Sequence, residues 1–274
     1  MKRLAIFLTA LGGISLPSCH TSVPPAPQGQ FMPILPAENA PKTRQYVFFI
    51  QMRMATLDVP VGALSGSEEL WSYLDEQRTA PGQAASLARN GIRVGLGKKG
   101  SIEDVSAVIK RLTGAKMSEF TVTTSLNHPY PIVLQAAQPL QTIFITHADR
   151  TVSGADYPAG DNLLGLSFSF NEDDPSSILM TALPQIRSGT RKLTYVTNGT
   201  GGEWEYAPTM YSFNGLQFQA RIRRGDFIVI GPGAQSRLSE SPGSRFLVRT
   251  REGMQYESVL ILFPELWAQE AGGS

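Results

Sequence analysis

Two stretches of the chain alternate apolar and polar side chains with a period of two. Leu164, Leu166, Phe168 and Phe170 alternate with Gly165, Ser167 and Ser169, and Leu216, Phe218, Ala220 and Ile222 with Gln217, Gln219, Arg221 and Arg223. A strand sends successive side chains to opposite faces, so each pattern predicts a strand with one face on a core and the other in water. Phe227 to Ile230 and Val259 to Phe263 are unbroken apolar runs, as strands buried on both faces require. Arg223-Arg224-Gly225-Asp226 lies between two of these strands and predicts a tight hairpin turn with Gly225 at positive φ. Helical signals almost vanish after residue 118, and no repeat of fixed period is present.

Upstream the pattern is mixed. Tyr46 to Leu57 is a long apolar and β-branched strand run. Ser67, followed by Glu68 and Glu69 and then by Leu70, Trp71 and Leu74 at helical spacing, predicts a short helix with Ser67 as its N-cap. Ala84 to Asn90 predicts a second helix stopped by Gly91, and Ile92 to Leu96 a brief strand. The strongest helical signal runs from Ile102 to Thr113, with Val105, Val108, Ile109 and Leu112 on one face and Ser101 with Asp104 resembling a capping box. Phe120 to Leu126 is strand again. The expected fold class is therefore α+β, with a small α/β unit over 45–126, a mainly antiparallel β domain over 127–267 and a tail over 268–274.

The first residues have a different character. Lys2 and Arg3 precede an apolar stretch from Leu4 to Ile14 that is broken by Gly12 and Gly13. It is too short to span a bilayer, which takes about 20 residues, and fits the central region of a signal peptide over 1–18. Leu16-Pro17-Ser18-Cys19 then resembles the lipobox of bacterial lipoprotein precursors, with Pro17 an unusual occupant of its second position. That resemblance implies cleavage before Cys19 and a diacylglyceryl group on its sulfur, where several acyl chains make release negligible. Cys19 is the one cysteine in the chain, so no internal disulfide accounts for it. His20 stands where an Asp would retain such a protein at an inner membrane, which favours the outer membrane, facing the periplasm. Residues 19–44 carry prolines at 24, 25, 27, 33, 36 and 41. They read as a tether whose stretch from Thr21 to Pro41, at about 3.1 Å per residue, reaches roughly 60 Å from the membrane.

Composition narrows the classes of partner. Hydrophobic residues make up 42 % and charged residues 17 %, enough apolar material for a core. A net charge of +1 supplies no field that would favour nucleic acid. The expected partners are the membrane, through lipid on Cys19, and other envelope proteins or further copies of the chain.

Leu163 to Leu266 carries a further resemblance. Gly165-Leu166-Ser167-Phe168-Ser169-Phe170, then Leu183-Pro184-Gln185-Ile186, then Phe218 to Gly231, and last Val259-Leu260-Ile261-Leu262-Phe263-Pro264, are similar to the carboxy-terminal region of secretins, the ring-forming outer-membrane channels of secretion and pilus systems. The family's second Gly is Pro232 here, and only Gly243-Ser244-Arg245-Phe246-Leu247 stands where its lip segment would be. The resemblance thus implies a secretin-like domain and an assembly role, not a complete gated channel.

Candidate chemistry is sparse. His128, in Asn127-His128-Pro129-Tyr130-Pro131, and His147, in Thr146-His147-Ala148-Asp149, are the only imidazoles beyond the tether. A zinc site would need carboxylates brought to them from afar. Leu64-Ser65-Gly66-Ser67 and Val152-Ser153-Gly154-Ala155 do not match a nucleophile elbow. Glu172, Asp173 and Asp174 form an acidic cluster, read as a solvated loop. Gly95-Leu96-Gly97 with Lys98 and Lys99 is a poor match to a phosphate loop. Arg224-Gly225-Asp226 and Asn198-Gly199-Thr200 read as turn and loop chemistry. Trp204, Tyr206 and Tyr211 flank that loop, as rings that stack on a sugar or a partner or as the edge of the core. The expectation is a non-enzymatic, lipid-anchored envelope protein with a structural or assembly role and with no catalytic, cofactor or metal residues. A module binding a glycan or small ligand is the alternative, and a hydrolase the third reading.

Overall fold

The computed structural model describes residues 46–112, 117–171, 174, 176–198 and 201–270. The leader, the lipobox with Cys19 and the tether to residue 44 lie outside them. The chain runs β1 (Tyr46–Pro60), α1 (Pro81–Arg89), β2 (Ile92–Gly97), α2 (Ile102–Leu112), β3 (Met117–Ser125), β4 (Tyr130–Gln138), β5 (Gln141–Thr146), β6 (Val152–Tyr157), β7 (Gly160–Phe170), β8 (Ser177–Asn198), β9 (Gly201–Ser212), β10 (Phe218–Arg223), β11 (Phe227–Pro232), α3 (Pro242–Leu247), β12 (Val248–Arg251) and β13 (Met254–Glu270). The architecture is α+β: antiparallel sheets, with most of the few short helices near the N-terminal part.

The first sheet has the order β2-β11-β13-β1-β3, with β12 also on β13. The second has the order β10-β8-β7-β4, with β9 also on β8, and β5 and β6 form a separate hairpin. Strands from both 45–126 and 127–267 build the first sheet, and the described residues all belong to one compact unit, Arg44–Ser274. Residues 268–270, expected as tail, continue β13 and pair with the start of β1, as in Tyr46 opposite Glu270.

Two apolar cores explain the hydrophobic pattern. Ile228, Ile230, Leu260 and Leu262 pack with Leu164, Leu166, Phe168, Phe218, Ala220 and Ile222 of the second sheet. Phe227, Val229, Val259 and Ile261 face the other way, onto Leu70, Trp71, Val105, Val108 and Ile109. The continuous runs therefore lie between two layers, and the alternating strands cover one. β1 changes allegiance along its length: Ile50, Met52 and Met54 join the first core, Ala55, Leu57 and Val59 the second.

Local expectations fared unevenly. Gly91 ends α1 at φ +77, and a Cβ there would lie 2.6 Å from the Ser236 nitrogen, so both conformation and space demand glycine. Ser67 caps no helix: only the single 3-10 turn Trp71–Tyr73 forms, held by burial of Trp71 under the Arg93 guanidinium. Ser101 turns its hydroxyl to the Lys98 carbonyl at 3.0 Å, which replaces the capping box. Phe170 is exposed and meets Phe48 edge-on, with ring centroids 5.1 Å apart.

The segment from Arg223 to Asp226 departs from the expected hairpin. The turn forms, with Gly225 at φ +86 and the Asp226 amide donating to the Arg223 carbonyl at 3.0 Å. It is not a hairpin, because β10 pairs with β8 whereas β11 pairs with β13 and β2. The turn carries the chain from one sheet to the other. Leu183-Pro184-Gln185-Ile186 lies in the middle of β8, which continues to Asn198. Along one edge β8 pairs with β10 through Ala182 and with β9 from Gln185. Pro184 falls between these partners, where its carbonyl accepts from the Phe213 amide at 3.0 Å and a missing N–H breaks no ladder.

One buried charge organises the turn after β1. Glu257 on β13 is fully buried, and its carboxylate accepts from the Gly62, Leu64 and Ser65 amides at 2.8, 2.9 and 3.1 Å and from the Ser65 hydroxyl.

Candidate functional site

β8 is 22 residues long, but β7 covers its second edge only as far as Ser188. Among the described residues its only partner from there to Asn198 is β9, and β9 in turn pairs with β8 alone. The two strands therefore leave the sheet as a ribbon with an open edge on each side, about 30 Å long at the usual rise per residue. Side chains from Gly189 to Thr197 and from Gly201 to Tyr206 are exposed throughout.

The pairing register sorts those side chains. Leu193 lies opposite Tyr206 and Tyr195 opposite Trp204. Directly opposed residues share a face, as do positions two apart, so these four form one apolar face. Thr194 opposite Glu205 and Val196 opposite Glu203 occupy the other, with Lys192. Tyr195 and Trp204 touch, ring centroids 5.3 Å apart, and Tyr195 lies over Gly202, where a Cβ would be 2.4 Å from the ring. Trp204 and Tyr206 remain 66 % and 67 % exposed.

Of the three aromatic residues singled out by sequence, the structure unites Trp204 and Tyr206 and separates Tyr211. Tyr211 sits at the base of the ribbon, opposite the buried Ile186, packed on the core and edge-on to Tyr157 at 5.6 Å. Leu193 and Tyr195 were missed. Their alternation with Lys192, Thr194 and Val196 was available as a signal, but it shows its meaning only once set against Trp204 and Tyr206.

The remaining candidates disperse. His128 follows Asn127, which is at φ +59, on the exposed β3–β4 loop. His147 closes the β5–β6 hairpin, and its Nε2 lies 2.7 Å from the Ser153 hydroxyl. A triad would need a carboxylate to orient that ring. Asp149 instead accepts from the Thr151 amide at 3.0 Å and hydroxyl at 2.7 Å, bonds that hold its carboxyl below the usual range. Glu172 and Asp173 lie outside the described residues, as do Gly199 and Thr200. Asp174 caps its own turn through Ser176. Gly95 and Gly97 are packing positions: added Cβ atoms would lie 2.7 Å from Leu74 and 2.0 Å from Phe227. Glu103 and Asp104 open α2, a first turn that repels phosphate. Among the described residues no cluster of His, Cys, Asp or Glu could hold a metal ion, and no helix is long and apolar enough to cross a membrane.

No family model matches the chain, and no curated protein matches it. Solved structures give a faint similarity to secretins. The Klebsiella pneumoniae type II secretion system outer membrane complex aligns at 8 % identity and a TM-score of 0.24, over 84 % of this chain and 41 % of that one. The type IV competence pilus secretin of V. cholerae aligns at 12 % and 0.21, over 82 % and 59 %. The secretin-domain β-barrel of the Salmonella SPI-1 injectisome aligns at 11 % and 0.17, over 84 % and 62 %. This chain thus spans less than two thirds of the length of each.

Proposed function

We propose that the chain is a lipid-anchored protein of the cell envelope with a structural role, and that it assembles with further copies or with other envelope proteins through the β8–β9 ribbon. The ribbon is the observation that carries the reading. Isolated two-stranded hairpins are at best marginally stable in water, and open edges invite pairing with another chain. This one projects with both edges unpaired among the described residues and with Leu193, Tyr195, Trp204 and Tyr206 on one face. Three aromatic rings bring about 500 Å² of surface, a large part of the roughly 800 Å² that each partner buries in a stable interface. No catalytic step forms part of this reading.

Replacing Tyr195, Trp204 and Tyr206 together with Ser should reduce chemically cross-linked, higher-mass species in intact cells by at least about tenfold, because buried aromatic anchors dominate interfaces. Unchanged cross-linking would remove the ribbon from the contact. The same rings also suit stacking on a sugar, which is the second reading. Under it the triple variant would lose glycan binding while the cross-linked species persisted.

The anchor rests on Lys2, Arg3, the apolar stretch from Leu4 to Ile14 and Leu16 to Cys19. Cys19→Ser should abolish incorporation of labelled fatty acid. A variant that is labelled and fractionates with membranes as the wild type does would refute it.

A further inference from the structure

The edge strands of the two sheets, β4 and β12, line a cleft of about 530 Å³ together with residues of α3. Among the described residues its only charged lining residues are Arg245, Arg249 and Arg251, and Gln135, Gln138 and Thr250 are among its polar ones. The cleft is braced from both sides. Gln135 Nε2 donates to the Val248 carbonyl at 2.6 Å, and Arg249 Nη2 donates to the Leu134 carbonyl at 2.6 Å.

Its charges do not balance. Arg249 and Arg251 share one carboxylate, Asp58, at 3.6 and 3.0 Å, and Asp58 also accepts from the Ser258 hydroxyl at 2.6 Å. Arg245 gives its Nε to the Thr142 carbonyl at 3.3 Å and has no carboxylate partner among the described residues. Three guanidinium groups against one carboxylate leave two positive charges in the cleft. In addition, Arg249 Nε is buried with no hydrogen-bond partner among the described residues. Buried donors and half-buried cations left unmatched are costly, and an anion would relieve both.

We propose that this cleft binds a phosphate-bearing ligand. Guanidinium groups present paired N–H donors that match phosphate oxygens, and two uncompensated charges match a phosphate dianion. Bracing by Gln135 and Arg249 holds the donors in place before the ligand arrives, so little ordering opposes binding. The phosphate belongs either to a soluble compound or to a lipid headgroup. None of these residues is part of the ribbon, so the site stands or falls independently of it.

Titration calorimetry of the full chain with inorganic pyrophosphate tests the site, run beside flotation with vesicles of phosphatidylglycerol or phosphatidylcholine. Cys19→Ser is present throughout, so that no lipid anchor contributes to vesicle binding. Binding of pyrophosphate that weakens at least about tenfold for each of Arg245→Gln and Arg251→Gln supports a soluble ligand. Binding to phosphatidylglycerol vesicles alone, with the same dependence, supports a headgroup. Failure of both probes to bind, or equal binding by wild type and variants, overturns the proposal. Should Arg245→Gln not fold, Arg251→Gln alone decides, since that side chain is 60 % exposed.

Discussion

Glu257→Ala is expected to unfold the chain at much lower urea concentration, with a loss of about 3–6 kcal/mol. The carboxylate gathers three backbone amides and a hydroxyl from the turn after β1, and it does so fully buried. Truncation leaves the buried Leu64 and Ser65 amides unmatched, at roughly 1–3 kcal/mol each, and the part-buried Gly62 amide partly so. Domains are stable by only about 5–15 kcal/mol, so this is a large share. Gly62, at φ +87, fixes the turn so that its amides point to one spot, and Val59 and Leu64 then seal the second core above it. Glu257→Gln should fall between, because one amide oxygen still accepts while the NH2 group cannot. Equilibrium denaturation of the full chain measures both. An alanine variant within about 1 kcal/mol of wild type would show that the turn does not depend on this carboxylate.

Much of the scaffold was legible because burial leaves a period in the sequence. Phe218, Ala220 and Ile222 alternate with Gln219, Arg221 and Arg223 in the structure as in the sequence, and Phe227 to Ile230 is buried on both faces. Gly91 announced the end of α1. What stayed illegible is whatever depends on partners distant in sequence. The turn from Arg223 to Asp226 has the same local chemistry whether it closes a hairpin or changes sheets, and only the pairings of β10 and β11 decide. Ser101 carries a capping residue's side chain, yet a preceding 3-10 turn supplies a nearer acceptor.

The ribbon shows the same limit. Tyr211 and Trp204 occupy one strand and have similar side chains, but Tyr211 lies over a sheet and Trp204 beyond its edge. Nothing in the residues themselves says where β7 stops covering β8. Leu193 and Tyr195 acquire a role only through their register with Tyr206 and Trp204. Glu257, two residues before the apolar run of β13, was likewise silent in the sequence, because its partners lie almost 200 positions away.

Excising the ribbon is expected to abolish assembly outright. Arg191 and Pro208 face each other across the ladder, so residues 192–207 can be removed and the ends joined by Asn-Gly, a two-residue hairpin loop. The pairs of β8 with β7 and β10, and the core beneath them, are untouched. Substituting rings weakens a face, whereas excision also removes both open edges, and so its effect is larger. The decisive measurement is the mass in solution, by light scattering, of the full chain carrying Cys19→Ser, with and without the ribbon, across the low micromolar range. Assembly through the ribbon predicts a multimer of the 29.8 kDa chain that becomes monomeric on excision. A chain that is monomeric throughout, or a multimer whose mass per particle does not depend on the ribbon, would contradict it.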